Sequence, residues 1–206
     1  MSRTFLKLSR NFTSGGDKRT PVALVIGAGA GVGQAVATKF AREGYHAVVV
    51  RRGKGPNRLL KDADDSQNKL IKFAENIRSS GGEATALFAD GTKVEDTQKL
   101  VKQVEVDIGP IAFVNYNIGA QVGNRTVDKT SYRIFELAWR MGSLGAFAIA
   151  KEVSPYMISR GGGTIVYTSS TSAVRGNPGQ HAHTAAMGGR RNLAQSLSAE
   201  LGPQGM

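Results

Sequence analysis

The chain of 206 residues contains no cysteine. Disulfide staples and thiolate metal sites are therefore excluded. The fold must stand on its hydrophobic core, and a single domain of this length buries enough apolar surface to do so. Long apolar runs are missing too, since none reaches the roughly 18 residues that would read as a membrane span. There is no internal repeat, no aromatic-interleaved stacking platform and no RNA-binding motif. Acidic side chains are scarce: 16 Asp and Glu stand against 27 Lys and Arg, for a formal net charge of +11. That balance favours contact with anions such as nucleotide phosphates, RNA or anionic lipid. The alternative, for the body of the protein, is a solvated basic surface. Any RNA contact would be made to phosphates and would weaken with salt.

Part of the excess charge sits at the start. Residues 1–20 form a basic N-terminal arm, with Arg3, Lys7, Arg10, Lys18 and Arg19 against Asp17 alone. Met1–Ser14 is hydroxyl-rich and free of acids, and Phe5, Leu6, Leu8 and Phe12 lie between its basic residues. As a helix it would separate an apolar face from a cationic one. This is the composition of a mitochondrial transit peptide, and it predicts a matrix location. The run Arg10-Asn11-Phe12-Thr13-Ser14 resembles a matrix-peptidase cleavage pattern; the alternative is an ordinary basic tail. A second basic cluster, Arg51, Arg52, Lys54, Arg58 and Lys61, overlaps the linker-like stretch Gly53–Asp65.

From residue 21 to 206 the pattern alternates strand and helix. Strands are expected at Val22–Ile26, Tyr45–Val50, Glu83–Ala89, Ile111–Tyr116 and Thr164–Ser169. Helices are expected at Val32–Glu43, Ser66–Ser80, Val94–Ile108, Lys129–Arg160 with a break near Pro155, and Ala182–Leu201. Strands separated by helices of this length imply an α/β domain with a parallel sheet covered on both faces.

Gly27-Ala28-Gly29-Ala30-Gly31-Val32-Gly33 follows the first strand and opens the first helix. Glycines in such a turn let a pyrophosphate approach the unpaired N–H groups and positive dipole end of the helix. A side chain at Gly27 or Gly31 would stand in the way, and Gly33 lets the helix pack against the strand. The Gly-x-x-x-Gly-x-Gly spacing resembles the short-chain dehydrogenase/reductase family, with Ile26 where that family usually has Thr. The resemblance runs from about Pro21 to the C-terminus and implies a Rossmann-type doubly wound parallel sheet.

It also implies site residues. Arg51 and Arg52 end the second strand, where basic residues favour NADP over NAD by pairing with the 2′-phosphate. A guanidinium fork suits a phosphate; the alternative is a solvated pair. Asp90 corresponds to an adenine contact, or else caps the following turn. Asn117-Ile118-Gly119 is similar to the family's Asn-Ala-Gly on the adenine-ribose side. With Gly27, Gly31, Val32 and Gly33, these make Arg51, Arg52, Asp90, Asn117 and Gly119 the candidate cofactor-binding residues.

The family's chemistry rests on Asn, Ser, Tyr and Lys. Tyr protonates the substrate carbonyl, Lys lowers the Tyr pKa and holds ribose, Ser orients the carbonyl, and Asn supports a relay water. Here Ser170 keeps its place, but His183 stands at the Tyr position, Met187 at the Lys position and Gly142 at the Asn position. A phenol of pKa about 10 needs a nearby cation to work at neutral pH. An imidazole titrating near about 6.5 does not, so His183 could donate a proton unaided; the alternative is a hydrogen-bonded histidine without a catalytic role. Arg190 and Arg191 lie one turn beyond Met187, to reach a ribose or phosphate or to be solvated. Gly188-Gly189, inside the same helix, each cost about 1 kcal/mol relative to Ala.

Against the family's pattern the chain stops ahead of a sixth strand. A C-terminally truncated sheet is expected, with its fifth strand needing cover from a partner protein. Helices 129–160 and 182–201 correspond to the family's usual dimer interface, so a homodimer or packing against other subunits is expected. Together these residues suggest a catalytically degenerate short-chain dehydrogenase fold, serving as a structural or assembly subunit of a mitochondrial complex and retaining NADP(H). The alternative is an NADP(H)-dependent carbonyl oxidoreductase using His183 and Ser170. A third possibility is a module whose partner affinity responds to NADPH.

Overall fold

A computed structural model describes residues 17–53 and 63–206. Most of the arm, including Met1–Ser14, and the basic residues Lys54, Arg58 and Lys61 lie outside the described residues.

Five parallel strands form one sheet in the order β3-β2-β1-β4-β5. They are β1 (Val22–Ile26), β2 (His46–Arg51), β3 (Glu83–Phe88), β4 (Ile111–Tyr116) and β5 (Thr164–Tyr167). Helices α1 (Val32–Arg42) and α2 (Ala63–Ser79) cover one face. Helix α3 (Val94–Gln103) and the pair α4 (Tyr132–Trp139) and α5 (Gly145–Ser159) belong to the other layer, with α6 (His181–Leu201) packed alongside. This is the Rossmann-type doubly wound arrangement.

The strands alternate between the two cores as a pleated chain must. Val22, Leu24 and Ile26 face the α3–α5 layer, while Val25 faces α1 and α2. Both faces of β1 are thus buried, which is why its five residues read as an unbroken apolar run. Fully burying each such side chain contributes about 1.5–3 kcal/mol. Helix α5 offers Ala146, Ile149, Val153 and Met157, at helical spacing, to the same core. A partly buried ion pair closes the lower end: Arg160 reaches Glu105 at 2.8 Å and the Ile111 carbonyl at 3.0 Å.

The helix expected over Lys129–Arg160 needs two corrections. It starts at Tyr132, where the Ser131 side chain accepts from the Ile134 amide and caps it. The irregularity falls at Arg140–Leu144, a single wide π turn, and α5 runs through Pro155 unbroken. Such turns occur mostly within otherwise regular helices, frequently beside functional sites. A similar wide turn, Val104–Ile108, extends α3.

Strand β5 has no neighbour on its outer side among the described residues. Beside it an apolar cleft of about 370 Å³ is lined by Ile165, Tyr167, Ala194, Leu197, Leu201 and Met206 among others. The Gly163 amide donates to the Gly205 carbonyl, so the chain's last residues lie at the start of β5.

Candidate functional site

The C-terminal ends of the strands carry the site, as expected where the strand order reverses between β1 and β4. A cleft of about 200 Å³ gathers Gly27, Arg51, Arg52, Asp90, Ile118 and Met141, so four of the candidate cofactor residues line one space. No carboxylate pairs with Arg51 or Arg52 among the described residues.

The glycine turn divides its labour differently from the sequence expectation. At Gly27 the chain itself excludes a side chain: φ is +87°, and a Cβ would lie 2.9 Å from the Asn117 carbonyl carbon. A Cβ on Gly33 would lie 2.8 Å from Ala28 Cα, which is the expected helix-to-strand packing. At Gly31 nothing stands within 4 Å, and no side chain caps the helix that begins at Val32. Gly31 therefore borders an open approach to the first turn of α1, with Val32 exposed beside it, and a pyrophosphate fits that approach. Asn117 Nδ2 donates to the Gly27 carbonyl at 2.9 Å and holds this turn to the end of β4. Gly119 is exposed and likewise free of close neighbours.

Asp90 lines the cleft and also caps its own turn: Oδ1 accepts from the Thr92 amide at 3.1 Å and from its hydroxyl at 2.7 Å. The capping alternative thus describes one of its oxygens.

Beyond the C-terminal end of β5, at the same edge of the sheet as the glycine turn, Ser170 and His183 meet, with Oγ to Nε2 at 3.4 Å. His183 is buried, and its Nδ1 finds no partner among the described residues. The two positions where the family's pattern has Lys and Asn are both packed here. Met187 is 3% exposed and packs with Ala120, Ala138, Ala182 and Ala186. Gly142 is closed by the opposing helix, because a Cβ there would lie 2.6 Å from the Ala186 Cβ. Gly189 faces Ser143 as tightly, at 2.6 Å to its Oγ, so this glycine serves a close helix crossing.

Arg190 corrects another expectation. It reaches no open cleft: the residue is 1% exposed, and its donors go to the backbone carbonyls of Gly142, Thr168, Ile118 and Met141. Its guanidinium carbon also stands 5.0 Å from the Tyr116 ring centroid. Burial pushes its pKa below the ordinary arginine value. Burial pushes the Tyr116 phenol up, and its hydroxyl donates to the Met141 carbonyl at 2.8 Å. The available signal was spacing. Residues 183, 186, 187 and 190 share one helix face, and the first three are buried.

No group of three His, Asp or Glu side chains among the described residues could hold a metal, and no helix there is long and apolar enough to cross a membrane.

A family model for short chain dehydrogenases matches residues 21–206. The 3-oxoacyl-acyl-carrier-protein reductase FabG of Staphylococcus epidermidis is 28% identical over 188 residues, covering 89% of this chain and 70% of that protein. Peroxisomal multifunctional enzyme type 2 of Drosophila melanogaster is 32% identical over 184 residues, 87% of this chain and 29% of its own. Among solved structures, a short-chain dehydrogenase from Rhodopseudomonas palustris superposes with a TM-score of 0.80 at 29% identity, covering 91% of this chain and 81% of its own. Fold and site together define a dinucleotide-binding oxidoreductase class. The chain belongs to the short-chain dehydrogenase/reductase family, whose members bind NAD(P).

Proposed function

We propose that this protein keeps NADP(H) as a bound ligand, no longer runs the family's carbonyl chemistry, and acts as a structural or assembly subunit of a complex in the mitochondrial matrix. One observation carries the reading: Met187, at the position of the family's lysine, is repacked as core at 3% exposure. An ammonium there would have to be buried among alanines. The cofactor end is better preserved. Gly31 and the first turn of α1 would hold the pyrophosphate, and Arg51 and Arg52 favour a 2′-phosphate and hence NADP over NAD. The bound nicotinamide supplies hydride chemistry in the family; here it would serve as a stabilising ligand. The basic arm supports the mitochondrial location, and the basic segments allow RNA phosphate contact. Exposed aromatics on α4 and α5, Tyr132, Phe135, Trp139 and Phe147, support a protein contact through residues 129–160, with 182–201 adjoining. In the test, purified protein is titrated with NADPH by fluorescence and assayed for NADPH oxidation against a carbonyl panel. Native extract is sized in parallel. Binding without turnover, in a large particle, is expected; fast turnover or a monomeric native profile sinks the proposal.

The Ser170–His183 contact favours a second reading, an NADP(H)-dependent carbonyl reductase with His183 as acid and Ser170 as the orienting group. Under that reading His183→Phe abolishes NADPH oxidation. An absence of binding at millimolar NADPH ends it.

A further inference from the structure

We infer that Arg190 is a positioning residue: a buried guanidinium that sets the shape of the Ser170–His183 end of the cleft by tying together three segments of backbone. A cation shut away from water survives only if its donors are satisfied, and no carboxylate among the described residues is bonded to Arg190. Backbone carbonyls take that role. Nε donates to Gly142 at 2.7 Å, and one terminal nitrogen to Thr168 at 2.8 Å. The other donates to both Ile118, at 2.7 Å, and Met141, at 3.0 Å. Only the five-donor planar fork of arginine spans such a set; an ammonium has three donors on a point.

The segments matter more than the number of bonds. Ile118 lies next to Asn117, which holds the glycine turn through the Gly27 carbonyl. Thr168 stands two residues before Ser170 at the end of β5. Met141 and Gly142 belong to the wide turn that joins α4 to α5. Arg190 thus links the mouth of β4, the mouth of β5 and the crossing helix from within. The glycines make room for it. A Cβ on Gly142 would strike Ala186, and one on Gly145 would run into the Tyr116 hydroxyl, displacing the ring that lies against the guanidinium. Where the lysine of the family's pattern is gone, a cation three residues on is turned inward to the backbone.

The test uses Arg190→Met and Arg190→Lys in the full chain. The protein has only three histidines, so their ring signals are separable by NMR. His46, on β2 with partners Thr85 and Glu83, is the internal control. Arg190→Met is expected to shift or broaden the His183 ring signals and leave those of His46 in place. Arg190→Lys is expected to restore them in part. A loss of fold alone would move both histidines together. If Arg190→Met proves unfolded, Arg190→Lys decides alone: His183 signals identical to the parent overturn the inference, and a shift confined to His183 supports it. His183 signals unchanged in a folded Arg190→Met overturn it outright. A cofactor arm rests on the nucleotide-binding reading above. NADPH affinity should fall about tenfold in Arg190→Met, through the altered shape of the nicotinamide side of the cleft rather than a lost contact, while adenosine 2′,5′-bisphosphate binds as before. A parent that binds no NADPH defeats that reading and leaves the histidine result to judge Arg190.

Discussion

Gly142 and Ala186 meet so closely that a Cβ on Gly142 would lie 2.6 Å from the Ala186 Cβ and 2.9 Å from its carbonyl oxygen. The position where the family's pattern has Asn is therefore occupied, in effect, by the opposing helix. A side chain at position 142 and this approach of α6 exclude one another.

Restoring the asparagine should accordingly cost stability. Gly142→Asn forces the crossing apart, and overpacking of this kind costs about 1–3 kcal/mol. For a chain of this size that lowers the melting temperature by roughly 2–12 °C. Thermal unfolding followed by circular dichroism measures it. An unchanged melting temperature would mean the helices separate freely and the contact has no weight.

Met187→Lys tests the neighbouring position. The ammonium would enter an apolar cluster, so its pKa in the fold would drop below the unfolded value of about 10.4. The unfolded chain then holds the proton more readily, and stability rises with pH. A deficit of roughly 2–4 kcal/mol at pH 7 is expected, shrinking as pH approaches 10. Urea midpoints of parent and variant, compared from pH 6 to 9, give the answer. A deficit that stays flat across this range would show that the ammonium reaches water.

Much of this was legible in the sequence. The unbroken run of β1 and the glycines behind it specify a buried central strand and a tight turn into a helix, and both are where the pattern puts them. The resemblance placed His183 and Met187 where the family's pattern has Tyr and Lys, and the structure shows both of them buried on α6. What lay beyond reach depends on partners far along the chain. Nothing near Gly27 in sequence says that Asn117 closes on it. Pro155 looks like a break, yet α5 absorbs it, while the real irregularity is the wide turn at 140–144. Arg190 looks like one more cation on a basic chain. Its burial depends on carbonyls from positions 118, 141, 142 and 168, which converge only in the folded sheet.

His46 should make the fold sensitive to acid. Its Nε2 lies 2.8 Å from the Thr85 hydroxyl and its Nδ1 3.2 Å from Glu83. Burial lowers its pKa, and the exposed Glu83 offsets this only in part. With the folded pKa below the unfolded one of about 6.5, the contribution is full above that pH and is lost as pH falls through the folded value. Between pH 7 and pH 5 the parent should lose stability more steeply than His46→Gln, read from urea midpoints. Equal slopes would mean that Glu83 outweighs burial.

The two arginines at the end of β2 should set cofactor choice. Arg51→Ala with Arg52→Ala removes the guanidinium groups that border the cleft. Charge-assisted hydrogen bonds to a phosphate contribute about 1.5–3 kcal/mol, so NADPH affinity should fall on the order of 10- to 100-fold while NADH affinity changes little. Fluorescence titration with both cofactors measures the ratio. A ratio unmoved by the double variant would place the 2′-phosphate elsewhere.

Trp139 should anchor a subunit contact. It is 46% exposed, and Tyr132, seven residues before it on α4, and Phe147, eight residues after it on α5, are exposed too. Large aromatics left in water mark a protein contact, and a tryptophan near its centre is the residue most apt to dominate binding. A glutamate there would have to shed its hydration to enter the same contact, which favours separation of the subunits. We expect light scattering behind gel filtration to give a dimer for the parent and a folded monomer for Trp139→Glu, checked by an unchanged far-UV circular dichroism spectrum. A parent that stays monomeric at tens of micromolar removes the homodimer and leaves the exposed aromatics to a different subunit. In that case the same substitution should release the protein from its native particle.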